Sequence, residues 1–158
     1  MTAEPHPLDL LRAEAQTASV PQVRRELEGL SAEFSEVLAS AHWGAGAEDT
    51  LRASIGMERK MTMEMRLGLG DDWDRLPLRR TAPLADMALP ELRAEAQAGR
   101  AHLLRVLDEL LQAAGHREVR AWCYGEEVAP ELYILGLRRR LGALTARVAG
   151  ARRASPAD

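Results

Sequence analysis

Between Ser19 and Ala41, apolar side chains recur at alternating steps of three and four: Val20, Val23, Leu27, Leu30, Phe34, Val37 or Leu38, and Ala41. That period draws one apolar stripe along a helix. Ser19 suits the N-cap and Pro21 the first turn, where its missing N–H costs nothing, and Gly44-Ala45-Gly46 stops the run. At 1.5 Å per residue such a helix is about 30 Å long, and burying its stripe contributes roughly 10 kcal/mol before chain entropy is subtracted. It therefore needs partners.

The pattern predicts them. A second helix opens near Ala47-Glu48-Asp49, whose acids suit the positive end of the helix dipole, and continues to Leu69. Its stripe is Leu51, Ile55, Thr62, Met65 and Leu69, with Met57 and Met61 beside it and Gly68 and Gly70 at its end. From Asp71 to Leu89, with Trp73, Pro77 and Pro83, no period is sustained, which predicts a long connection with room for a short helical turn. A third helix starts at Pro90 and carries Leu92, Ala96, Gly99, Leu103, Val106 or Leu107, Leu110 and Ala114 before Gly115. The small residues at 96 and 99 predict close helix approach. After a loop from His116 to Ala129, a fourth helix opens at Pro130 with Ile134, Leu137, Leu141, Leu144 and Val148. Residues 1–18 hold Leu8, Leu10, Leu11 and Ala15 and predict a short leading helix; residues 151–158 read as a disordered tail. The expected fold is all-α, a four-helix bundle over residues 19–150 with a long crossover between its second and third helices.

Composition agrees with this pattern and adds the setting. With 158 residues, 46% hydrophobic and 28% charged, and a net charge of -3, the chain reads as one soluble globular domain. Aromatics are 4%, whereas Leu, Ala, Arg and Glu abound, which argues against a β-sandwich. Cys123 is the single cysteine, so neither an internal disulfide nor a thiolate metal cluster is expected. The start, Met1-Thr-Ala-Glu-Pro-His-Pro, has neither the basic nor the apolar part of a secretory signal, and no run reaches the roughly 18 apolar residues of a membrane span. The expectation is a cytoplasmic protein away from the membrane.

Motifs for chemistry are sparse. There is no phosphate-binding glycine loop, dinucleotide fingerprint, paired-cysteine zinc site, HExxH or Glu-x-x-His, so no cofactor is expected. Glu58, Glu64, Glu95 and Glu109 read as residues of solvated faces. His6 lies in the N-terminal segment, His116 follows a helix stop, and His102 sits beside the third helix's buried stripe. His42 precedes Trp43 at the end of the first helix, a pair suited to a pocket mouth. Cys123, between Trp122 and Tyr124, reads as a small half-buried thiol, because a nucleophile needs a base and a lowered pKa. Trp43, Trp73, Trp122 and Tyr124 together are candidates for lining one end of the bundle.

Three stretches carry a resemblance: His42-Trp43 through Glu48 into Leu51-Arg-Ala-Ser-Ile-Gly-Met-Glu58, the crossover from Asp71 to Leu89, and Trp122-Cys-Tyr-Gly-Glu-Glu-Val-Ala-Pro-Glu-Leu132. In this layout the chain resembles the DinB/YfiT-like family of bacterial four-helix bundles, described as damage-inducible proteins. Family members with a metal site supply one histidine from the second helix and an H-x-x-x-H pair from the last. Here Ser54 stands about where the first would fall, and Leu132 to Leu141 contains no histidine. Arginine, always protonated and donor only, cannot replace an imidazole ligand. The resemblance therefore implies a member without a metal site: a non-catalytic small-molecule binder or interaction module, expected as a homodimer. Its expected ligand pocket is His42, Trp43, Ser54, Trp122, Cys123 and Tyr124.

Two alternatives stay open. One is an enzyme of the family's metal-dependent thiol-transfer type, with His42 or His102 and acidic residues in an atypical site. The other rests on charge: residues 132–158 contain six arginines against Asp158 alone, and Arg138, Arg139 and Arg140 are adjacent. Such asymmetry can mark a nucleic-acid partner, although no recognition module accompanies it and a positive last helix packed near acidic neighbours is the favoured explanation.

Overall fold

The computed structural model describes residues 3–71 and 83–152. Among these the chain is mostly helical: α1 (Pro7–Ala15), α2 (Val20–Leu38), α3 (Ala47–Gly68), a 3-10 turn (Leu84–Asp86), α4 (Leu89–Ala114) and α5 (Pro130–Gly150), with a hairpin of β1 (Ala121–Cys123) and β2 (Glu126–Val128). Trp73, Pro77 and residues 153–158 lie outside the described residues.

The helix starts follow the local chemistry. Ser19 Oγ accepts from Gln22 N–H at 3.3 Å and caps α2, and His6 Nδ1 accepts from Leu8 N–H at 3.2 Å and caps α1. Pro7, Pro21, Pro90 and Pro130 occupy first turns. α2 stops at Leu38, before Ala41, because the chain is turned there: Trp43 Nε1–H donates to the Ser40 carbonyl at 2.8 Å, and Gly44 N–H donates to the Ala151 carbonyl at 2.9 Å. The segment expected as a plain loop before α5 instead holds the β1–β2 hairpin. Tyr124 (φ 51°) and Gly125 (φ 79°) both adopt the left-handed conformation that a two-residue type I′ connection demands.

Side-chain pairs fix the helix directions. Glu58 meets Arg100 and Arg66 meets Glu109, so α3 and α4 run parallel. Arg138 on α5 pairs with Glu26 on α2, while Val37 and Val148 share a core cluster further along, so these two also run parallel. Arg24 pairs with Asp108, and Arg93 donates to the Leu38 carbonyl, which makes α2 and α4 antiparallel. α1 packs on α5, and the hairpin lies against α3 and α5. Gly68 is the contact point: a Cβ there would collide with the Arg120 carbonyl oxygen, and Arg120 N–H donates to the Gly68 carbonyl at 3.0 Å.

The apolar interior divides in two. One cluster joins Leu8, Leu11, Leu27, Met61, Met65, Leu103, Leu107 and Leu141 near α1 and the hairpin. The other joins Phe34, Val37, Leu51, Ile55, Leu92, Ala96 and Val148 at the opposite end. Between them lies a layer of four buried polar residues, Ser54, Glu58, Arg100 and Thr145. On α3 the order is Ile55, Glu58, Met61; on α4 it is Ala96, Arg100, Leu103; on α5 it is Leu141, Thr145, Val148. Each polar residue thus occupies a core position of its helix.

Candidate functional site

Glu58 and Arg100 form the centre of the polar layer. Arg100 Nε–H donates to Glu58 Oε1 at 2.6 Å and Nη2–H to Oε2 at 3.3 Å, with the two side chains only 1% and 4% exposed. The remaining Arg100 nitrogen donates to Thr145 Oγ1 at 3.1 Å, and Thr145 Oγ1–H in turn donates to the Leu141 carbonyl at 2.8 Å. Ser54 Oγ–H reaches Glu58 Oε2 at 3.5 Å. The Arg100 guanidinium carbon lies 3.9 Å from the Phe34 ring centroid, a cation–π stack out of water. Burial pushes the Glu58 carboxyl above the usual carboxylate range, and the Arg100 hydrogen bond and charge, with the Ser54 hydroxyl, pull it back. A buried pair whose three guanidinium nitrogens and two carboxylate oxygens all have partners is the arrangement under which such charges are tolerated.

This corrects the expectation that Glu58 faces solvent, and with it the phase of two helices. On α3 the buried positions are Ile55, Glu58, Met61 and Met65, so Met61 is core and Thr62 is half-buried. On α4 the buried position is Arg100, not Gly99. Gly99 instead opens outward, and a Cβ placed on it would meet nothing within 4 Å. The small residue expected to bring helices together makes room there.

That room is a groove of about 330 Å³ between α3 and α4. Its floor is the Glu58–Arg100 pair, and its sides include Ile55, Met63, Ala96, Ala98 and Gly99. Arg59 and Glu95 pair across it at 3.2 Å, and Arg66 and Glu109 pair at 2.6 Å near its far end. His102 and Arg105 complete that end, with an Arg105 nitrogen 3.5 Å from His102 Nδ1. Burial, then the charges of Arg105 and Arg66, push the His102 pKa below its ordinary value, with Glu109 opposing. Of the four glutamates expected on solvated faces, Glu95 and Glu109 are tied to groove arginines, and Glu64 approaches Arg140 at 4.0 Å.

The other sequence candidates fall elsewhere. His42 and Trp43 lie past α2, at the end where α3 and α4 begin, and Trp43 borders a second hollow of about 350 Å³ with Gly46, Asp49 and Arg52. Arg52 is already engaged there by Glu48, Asp49 and the carbonyls of Leu84 and Met87. Trp122, Cys123 and Tyr124 belong to the hairpin at the opposite end, where the Trp122 ring stacks with Arg120 at 5.0 Å. The structure therefore does not bring the six pocket candidates together. Ser54 alone touches the polar layer. Cys123 is 1% exposed, seated against Gly136 of α5, and burial raises its thiol pKa. His42 and His102 are also apart, since His102 stands about 20 Å along α4 from Leu89.

The three adjacent arginines of α5 diverge. Arg138 pairs with Glu14 and Glu26, Arg140 faces Glu64, and Arg139 is exposed. Two of the four arginines of this helix are thus met by acids of α1, α2 and α3. Among the described residues no group of three or more His, Cys, Asp or Glu side chains converges as a metal set, and no helix is long and apolar enough to cross a membrane.

Compared with protein-family models, curated proteins and solved structures, the chain finds no match.

Proposed function

We propose that the chain is a DinB-like four-helix bundle without a metal centre that works as a non-catalytic small-molecule-binding module, its ligand lying in the α3–α4 groove. The observation that carries this is the groove itself: open space at Gly99 above an ionic floor whose groups are already paired. Its volume is at the small end of the range for ligand sites, and its lining combines aliphatic side chains with a few polar groups. The parallel α3–α4 pair supports the bundle layout that the sequence resemblance implies. The single thiol, Cys123 of β1, is buried against α5 with a raised pKa, and among the described residues the one buried carboxylate, Glu58, is held by Arg100. Ser54, at the position where a family histidine is expected, is turned to Glu58.

A neutral solvatochromic dye, Nile red, tests the site. Titrated against the full chain, it is expected to brighten and shift to the blue, and Gly99→Leu is expected to weaken binding by about tenfold or more by filling the groove. Leu at that helical position also carries better helix propensity than Gly, so folding is retained. Dye binding that is absent, or unchanged by Gly99→Leu, overturns the reading, as does stoichiometric nickel or zinc in the purified protein.

A further inference from the structure

We infer that the groove takes an amphipathic monoanion, an alkyl carboxylate whose head lies on Arg105 beside His102 and whose chain runs over Gly99 towards Ile55. This rests on the groove being the binding site and adds the class of ligand.

Charge matching points to the head. Arg100 is answered by Glu58, Arg59 by Glu95 and Arg66 by Glu109. Arg105, which lines the same groove, has no carboxylate within ion-pair distance among the described residues; its nearest polar neighbour is the His102 ring. The groove thus carries one positive charge in excess. A guanidinium presents a planar fork that matches a carboxylate.

The lining decides the tail. From Arg105 to Ala96 the groove extends about 14 Å along α4, bordered by Met63, Ala98, Gly99 and Ile55. Apart from the His102 imidazole at the head end no aromatic ring lines it, so nothing along the tail favours a flat ligand over a flexible chain. The floor charges neutralise one another and make no demand on that chain.

The test is displacement of Nile red from the full chain by decanoate, below its micellar range, against the neutral decanol. Decanoate is expected to compete at about five- to tenfold lower concentration than decanol. The advantage is expected to shrink with added salt and, in Arg105→Gln, to fall to the level of decanol measured on the same variant. Equal competition by decanol, or an advantage that survives Arg105→Gln, overturns the ligand class while leaving the groove reading intact. Loss of dye binding in the unmodified chain marks failure of the groove reading itself.

Discussion

Replacing Arg100 with Met tests whether the buried ion pair is a structural necessity. The change keeps an unbranched side chain in the core but removes two hydrogen bonds to Glu58, one to Thr145 and the stack on Phe34. Glu58 is then left 3% exposed with only the Ser54 hydroxyl. Breaking a buried pair by removing one partner costs about 3–5 kcal/mol. At roughly 2–4 °C per kcal/mol for a chain of this size, Tm falls by about 6–20 °C. Removing Arg100 also removes the groups that hold the Glu58 pKa down, while the desolvation that raises it stays. A carboxyl with a raised folded-state pKa binds its proton more tightly in the native protein than in the unfolded chain. Its stabilising contribution is present in acid and is lost as pH rises through the folded-state value. The penalty in Arg100→Met is thus smaller near pH 5 than near pH 7. Urea melts of both proteins at the two pH values read this directly. The double variant Glu58→Leu/Arg100→Met, which removes both charges, is expected to recover most of the loss, because an apolar replacement of a buried pair is commonly neutral or stabilising. A loss below about 1 kcal/mol, or one independent of pH, refutes the reasoning.

Three further outcomes follow from the same contacts. Gly68→Ala forces a methyl into the Arg120 carbonyl, and although Ala favours helix, overpacking against backbone is expected to cost about 2 kcal/mol net in a urea melt. Gly99→Ala meets no neighbour and is expected to raise stability by about 0.5–1 kcal/mol, so the two glycines respond with opposite sign. Cys123, sealed against Gly136 with a raised pKa, is expected to react with iodoacetamide only as fast as the protein opens; labelling of the native protein at the rate of a free thiol contradicts this.

Much of the helical framework was legible in the chain because each long helix advertises itself locally. The stripe from Val20 to Leu38, the Ser19 cap and the first-turn prolines lie within a few residues of the structure they specify. The hairpin was missed because its strands are three residues each, too short for a period, and its turn relies on Tyr124 in an unusual conformation. The site was missed for a different reason. Glu58 was assigned to solvent on residue type and Arg100 was not singled out, and Thr62 and Gly99 took their places in the stripes. Yet Leu51, Ile55, Glu58, Met61 and Met65, and likewise Leu92, Ala96, Arg100, Leu103 and Leu107, keep the steps of three and four without a break. Opposite charges at core positions of two helices were the available signal.

By itself the sequence determined that long amphipathic helices form, where they start, and that they must bury one face each; these are properties of neighbouring residues. Only the tertiary structure decided which helices run parallel, that two opposite charges 42 residues apart are buried together, and that Gly99 opens a groove instead of closing one. The physical reason is that a lone buried charge is prohibitive and a paired one is tolerable. Whether Glu58 and Arg100 belong inside depends on the distance between them, which no local pattern contains.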